Sequence, residues 1–495
     1  VAEHRVRLLA ATLARLAVRE VASSSGGEPE HRRRERAQAI RAAFERLGPL
    51  YIKVGQMLST RPDFVSAATI DELGKLHDRV PAAPFSEFEP VLEAELGSGW
   101  RRAFRHIDTE HPLGSASLAQ VYRVRLADGR TGALKVQRPG IRSIVHTDMA
   151  VLRTAGKLLA AIRPKFNAVV DVDAMVDLIF ESVDNELDFT TEAGHMELGR
   201  AQAEEFDLLT VPEVLMVTPR VLVQDLAGGR SIREIARGEL AEDERVAIAH
   251  DLLAFMYRSY FVGRLFHADP HPGNIFVEPG RGASLIDWGM VGRLDRPMSL
   301  KLALTLINIV QNDGDGAARA WVEMGKPTQW ADIGGFTGDV AGLVPKAATA
   351  SLEELNFGMT LTRVLRHSTN RGIKIGPVIP MLGKSFANME GSIRCLAPEL
   401  SAAEVLQAEL ADIVLDLVCE TFSESHLARG VVELLLAANG SYNHARGILR
   451  DVSNRDLQIP VDSKSASNQE LTASKIFYGT LTGVGGAWLW QRLKR

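Results

Sequence analysis

Apolar positions change their period several times along this chain. Val6, Leu9, Leu13 and Leu16 recur at helical spacing with arginines between them, and Ser23–Gly27 stops the run. This predicts an amphipathic helix and linker over 1–36, able to dock on its own domain or to lie on a membrane surface. The charge run His31–Arg36 reads as a solvated helical face. Leu47-Gly48-Pro49 is a break followed by a helix start, because proline at the first helical position gives up a donor that would be unpaired anyway. The helix predicted from Pro49 to Thr60 ends at Arg61-Pro62 and carries Lys53 and Gln56 on one face, with the small Gly55 beside them.

Past His106 the pattern shortens to β-prone runs. Leu118–Leu126 and Thr131–Gln137 flank Asp128-Gly129, a hairpin signal, so two antiparallel strands are expected. Helical periodicity returns over Ile144–Leu159 and Ala174–Gln202. Arg220–Asp225 is a further strand, running into Leu226–Gly229, read as a flexible joint. From Ser231 helices dominate, interrupted by the compact stretch His267–Leu294. The predicted organisation is a helical extension over 37–105, a small mixed lobe over 106–226, a larger helical lobe over 227–450, a polar linker over 451–473 and a terminal helix over 474–495.

Composition narrows the function classes. A chain of 495 residues exceeds one ordinary core and suggests two to four units. With 57 Lys+Arg against 62 Asp+Glu, the net charge of −5 lacks the footprint of a dedicated nucleic-acid binder. Cys395 and Cys419 provide neither a disulfide framework nor a Cys-rich metal site, which fits a reducing compartment. Arg5, Arg7, Arg15 and Arg19 are scattered through the N-terminal apolar residues, unlike a secretory signal.

Candidate chemistry concentrates in His267-Ala-Asp-Pro-His-Pro-Gly-Asn274, followed after a short apolar strand pair by Ile286-Asp287-Trp288-Gly289. Phosphoryl transfer from ATP needs a carboxylate near the attacking oxygen and oxygen ligands holding Mg²⁺ on the phosphates. Asp269 is the candidate for the first role; Asn274 and Asp287 are candidates for the second. Their order and spacing match the catalytic and metal segments of kinase-like folds. His267 and His271 have His-x-x-x-His spacing, but Pro270 and Pro272 oppose a regular helix there, which argues against zinc. Upstream, Lys135 on a strand is a candidate phosphate ligand, and the helical acids Glu186, Asp188 and Glu192 need cations nearby, for which Lys135 and Lys53 are suited. The loop Gly114-Ser115-Ala116-Ser117 precedes the first strand of the hairpin, where a kinase places glycines, so a bound triphosphate should adopt a different geometry.

Taken together, Lys53-Val-Gly-Gln56, the Ala/Ser loop, Lys135, Glu186-Leu-Asp188, Glu192, HADPHPGN and IDWG resemble the UbiB family of atypical kinases, also called AarF or ADCK, over roughly 37–290. The resemblance implies an α+β, bilobal protein-kinase-like fold with the helical extension lying over the cleft. It implies binding of ATP or ADP with Mg²⁺, ATPase activity, and support of ubiquinone-type quinone biosynthesis or other membrane-lipid handling. It implies further that Lys53 and Gln56 sit near Glu186 and Asp188, and that Glu192 pairs with Lys135. Gly114-Ser-Ala-Ser117 departs from the alanine run common in the family. A small-molecule phosphotransferase of the aminoglycoside or choline kinase type, and an inert nucleotide-binding pseudokinase scaffold, are the alternative readings.

Near the C-terminus, the charge-free run Ile476–Gln491 would be about 24 Å long as a helix, against a hydrocarbon core of about 30 Å. Gly479, Gly483 and Ala487 give it a small-residue face that permits a homodimer, and Arg492, Lys494 and Arg495 form a basic end. The expectation is attachment to the cytoplasmic side of a bacterial cell membrane. The partners expected are a membrane lipid or prenyl-quinone precursor and quinone-biosynthesis enzymes.

Overall fold

The computed structural model describes residues 5, 8, 11, 12, 29–59, 66–76, 80–162, 172–235, 238–348 and 357–421. Most of the predicted N-terminal helix, the linker over 451–473 and the terminal helix over 474–495 lie outside the described residues. The chain divides into a unit Val1–Leu417, which holds both lobes and the site, and a unit Val418–Arg495, whose described residues belong to the end of a helix.

The extension consists of α1 (Pro29–Leu47), α2 (Pro49–Ser59), α3 (Ala67–Leu73) and α4 (Glu89–Leu96). Gly48, at φ +99°, provides the left-handed residue that separates α1 from α2. Gly55 lets α2 approach its neighbours, since a Cβ there would lie 2.3 Å from Leu76 Cδ1 and 2.6 Å from the Phe44 ring.

The small lobe is a six-stranded antiparallel sheet. Its strands are β1 (Phe104–Ile107), β2 (Gly114–Ser115), β3 (Ala119–Leu126), β4 (Thr131–Gln137), β6 (Val214–Val217) and β7 (Val221–Asp225), with β5 (Leu209–Thr210) paired elsewhere. The order is β1-β3-β4-β7-β6, and β2 pairs with β3. The register Val121↔Lys135↔Leu222 puts Lys135 on a central strand. Leu134 and Val136 point the other way, into a core with Phe88, Tyr122, Val221 and Val223. Alternation thus buries one face of β4 and turns Lys135 toward the second lobe.

After β4 come α5 (Ile141–Ile162), α6 (Val172–Glu186) and α7 (Phe189–Ala203). The helical run expected over Ala174–Gln202 is therefore two helices. The break has a capping cause: Asp188 is extended and its carboxylate accepts from Thr190 N at 3.0 Å, while the Leu187 carbonyl accepts from Gln137 Nε2 at 2.9 Å and Arg142 at 2.6 Å. The stretch read as a flexible joint is tightly packed instead. Gly229 has φ +73°, and a Cβ there would lie 1.9 Å from the Val277 carbonyl oxygen.

The large lobe continues with β8 (Arg230–Ser231), α8 (Glu242–Arg258), β9 (Leu265–His267), β10 (Ile275–Glu278), β11 (Gly282–Leu285) and β12 (Val291–Arg293). Helices α9 (Arg296–Val310), α10 (Gly314–Met324), α11 (Ile333–Ala348), α12 (Phe357–Asn370), α13 (Val378–Leu396) and α14 (Ala402–Thr421) follow. Its core runs through Phe255, Tyr260, Phe266, Trp288, Trp321 and Phe386, all nearly inaccessible. The result is an α+β, bilobal, kinase-like architecture, as the motif order implied.

Candidate functional site

Two strand pairs create the site. HADPHPGN connects β9 to β10 and IDWG connects β11 to β12; β9 pairs with β12 and β10 with β11. The two connections therefore run side by side, joined by Ile286 N donating to Asn274 O at 2.9 Å and Ala268 N to Met290 O at 3.0 Å. This brings Asp269, Asn274 and Asp287 to one end of the β-structure.

Asp287 adopts φ +61°, a left-handed conformation that costs a non-glycine residue of order 1 kcal/mol and tends to cluster at functional positions. Trp288 holds it there. The indole is fully buried, donates to Leu285 O at 3.1 Å and lies against Gly199, where a Cβ would come within 2.2 Å of the ring. Partial desolvation by the surrounding protein pushes the Asp287 carboxyl up, but Lys135, Lys53, His267 and His271 together bring it down to about 2, so it is ionised.

Lys135 Nζ lies 2.8 Å from both Glu192 oxygens and 3.5 Å from Asp287 Oδ1. Glu192 is buried in the first turn of α7, whose placement follows from the Asp188 cap. Burial pulls the Lys135 ammonium down, yet Glu192 and Asp287 more than offset this and raise its pKa, keeping it charged. On the other side of the acids, Lys53 Nζ on α2 is 3.0 Å from Glu186 Oε2 at the end of α6. Asp188 does not join that pair; its carboxylate serves the α7 cap. Gln56 reaches back within the extension, its Nε2 3.4 Å from Leu76 O.

The loop Gly114–Ser117 is anchored internally. Arg138 donates to Ser115 Oγ at 2.7 Å and to Ala116 O at 2.8 Å, Val80 N donates to Ser115 O at 3.1 Å, and Ala116 N bonds to Ala119 O at 2.9 Å. Ser117 is buried. Gly114 has open space about its Cβ position, so no close approach requires a glycine there.

The Asn274 amide nitrogen donates to the Asp269 carbonyl at 3.1 Å, which leaves its oxygen for a cation. With the Asp287 carboxylate, whose side chain is 54% exposed, that makes two hard oxygen donors. Such a pair fits Mg²⁺ held jointly with phosphate and water oxygens, the usual environment of this ion. Zinc does not fit: His267 engages Ile286 O through Nε2 and Asp269 N through Nδ1, both at 3.1 Å, and His271 Nδ1 accepts from Gly273 N at 2.9 Å. Among the described residues, no group of three or more His, Cys, Asp or Glu side chains has the arrangement of a metal site.

Asp269 has partners that motif reading missed. Asn388 Nδ2 donates to its Oδ1 at 2.5 Å and Lys384 Nζ lies 3.4 Å from its Oδ2, both side chains coming from α13. Burial would raise the Asp269 carboxyl, but Lys384 foremost, with His271, His267 and Lys53, lowers it. The available signal was the polar set Lys384, Ser385, Asn388 and Ser392, recurring at helical spacing on one face of the helix.

Comparison with known proteins follows the same outline. The ABC1 atypical kinase-like domain matches residues 75–321. An Azotobacter vinelandii protein described as a probable protein kinase UbiB is 31% identical, across 74% of this chain and 69% of its own. An uncharacterized Synechocystis protein is 32% identical, across 70% of this chain and 87% of its own. The chain belongs to the ABC1 atypical kinase-like family, with UbiB proteins among its relatives. A Mycobacterium tuberculosis protein, Rv3197, solved with erythromycin, shares the fold with a TM-score of 0.51 at 22% identity, covering 72% of this chain and 90% of that one. The matched ABC1 region ends before α13, so Lys384 and Asn388 lie outside it.

Proposed function

We propose that this ABC1-family chain is a Mg²⁺-dependent ATPase of the atypical-kinase type. The observation that carries the reading is the Lys135 ammonium held equidistant from both Glu192 oxygens and beside Asp287. A fixed cation next to an ionised carboxylate at the mouth of a cleft is suited to a polyphosphate carrying its own divalent ion. In this reading Lys135 binds phosphate oxygens and Glu192 fixes its position. Asn274 and Asp287 hold Mg²⁺, which when bound neutralises charge developing on the phosphates. Asp269 orients the attacking oxygen. Lys53 and Glu186 close the cleft on the side of the extension, which favours water or a small acceptor over a protein chain.

Hydrolysis then serves the handling of a prenyl lipid or quinone precursor, as the resemblance to UbiB proteins implies. The run Ile476–Gln491 provides the proposed attachment to the cytoplasmic side of the membrane. Among the described residues, no helix is long and apolar enough to cross a bilayer.

Calorimetry with ATP and ADP, with and without Mg²⁺, and phosphate release by the parent and Asp287→Asn test the reading. Mg²⁺-dependent binding and turnover, lowered about 10²-fold or more in Asp287→Asn, are expected. No nucleotide binding in the presence of Mg²⁺ would overturn it. Quinone extracts of cells with and without the protein test the lipid role, and unchanged quinone content opposes it.

A further inference from the structure

Helix α13 presents four polar side chains to the loop that carries Asp269. Ser385 Oγ donates to His267 O at 2.6 Å and is 2.9 Å from the Tyr260 hydroxyl. Ser392 Oγ donates to Pro270 O at 2.8 Å. Between them, Asn388 and Lys384 meet the two carboxylate oxygens of Asp269 separately, at 2.5 and 3.4 Å. Residues 384, 385, 388 and 392 share one helical face. Ser385 and Ser392 are fully buried, so this face does not slide freely along the loop. A carboxylate on a proline-flanked loop has two torsions of its own, and the loop backbone fixes neither. Holding each oxygen from a rigid helix removes that freedom.

We infer that α13 is the positioning element of the site, and that Lys384 and Asn388 are positioning residues that set the orientation of the Asp269 carboxylate. The inference rests on the ATPase reading above and extends the site beyond the matched ABC1 region. Lys384 also borders a narrow, mostly apolar crevice lined by Gln56 and Met57 of α2 together with Met290 and Met381. The lysine therefore stands between Asp269 and the underside of the extension.

The test uses the full chain with Lys384→Met, Lys384→Arg and Asn388→Ala, measuring kcat, KM and the Kd of Mg·ATP, with thermal melts as a control on folding. Lys384→Met should lower kcat about 10- to 100-fold, the usual effect of removing a group that orients a reacting residue. KM and Kd should stay within about twofold, because binding of Mg·ATP belongs to Lys135, Asn274 and Asp287. Lys384→Arg should recover most of kcat, and Asn388→Ala should lose about tenfold with the same unchanged Kd. Unchanged kcat in folded Lys384→Met and Asn388→Ala, or a fall in kcat accompanied by a matching rise in Kd, overturns the inference while leaving the ATPase reading in place. A parent protein that neither binds nor hydrolyses Mg·ATP removes both.

Discussion

Lys53 Nζ and Glu186 Oε2 are 3.0 Å apart, joining a helix of the extension to the last residue of α6, and both side chains are largely buried. The pair brings a cation from outside the two lobes to the edge of the acids around Lys135. Lys53 lowers the carboxyl pKa of both Asp287 and Asp269, so its charge is felt across the site. Lys53→Ala should therefore alter nucleotide preference, with ATP losing about tenfold in affinity, or about 1.4 kcal/mol, and ADP less. Calorimetric titration of both nucleotides checks this. Identical Kd values in parent and variant would argue against any part for the extension in nucleotide handling.

Glu192 is 2% exposed and depends on Lys135 for its counter-charge. Removing one member of a buried pair strands the other, so Lys135→Met should destabilise the fold by about 3 kcal/mol, besides weakening phosphate binding. The double variant Lys135→Met/Glu192→Gln should regain much of that stability and none of the activity. Urea unfolding followed by circular dichroism separates the two effects. Equal stability of the single and double variants would mean that the pair is not a coupled unit.

The metal-side motifs were legible because their geometry is local. Asp269, Asn274 and Asp287 lie on two connections whose flanking strands could be read from short apolar runs, and pairing of those strands leaves little freedom. Lys135 was legible as a lysine on a strand, but its alignment with Glu192 depends on where α7 begins. That start was obscured because Asp188 looks like one more helical acid until its carboxylate is seen capping Thr190. Gly228-Gly229 suggested freedom, whereas contact with Val277 and Glu278 demands the absence of side chains. For Lys384 and Asn388 the helical polar face was legible but its partner was not, since nothing near them in sequence indicates Asp269.

Gly199 is a sharper probe of the IDWG turn than Asp287 itself. A methyl group there would lie 2.2 to 2.6 Å from three atoms of the Trp288 ring, which is buried and bonded to Leu285 O. Gly199→Ala should cost about 1–3 kcal/mol through overpacking and should displace the turn that holds Asp287 at positive φ. The expected signature is weaker Mg²⁺-dependent nucleotide binding with a lowered midpoint of urea unfolding. Full stability in this variant would mean that the indole repacks without strain.

Glu390, on α13, offers a test through pH. Its carboxylate is buried and accepts from Phe357 N at 2.7 Å and Gly358 N at 3.4 Å at the start of α12. Burial pushes its pKa up to about 7, with the two backbone donors and Arg394 opposing, while Tyr257 and Tyr260 are further titratable neighbours. Between the ordinary value of 4.5 and about 7 the native state therefore binds more protons than the unfolded chain. The Glu390 contribution is then complete below pH 4.5 and is lost as pH rises through 7. Glu390→Gln keeps an oxygen acceptor without the charge, so it should stabilise the protein by on the order of 2–3 kcal/mol at pH 8 and hardly at all at pH 5. Urea unfolding of parent and variant at both values measures the difference, and because every other group is common to the two proteins, the change in that difference isolates Glu390. A gap that stays the same at pH 5 and pH 8 would show that this carboxyl titrates alike in the folded and unfolded chain.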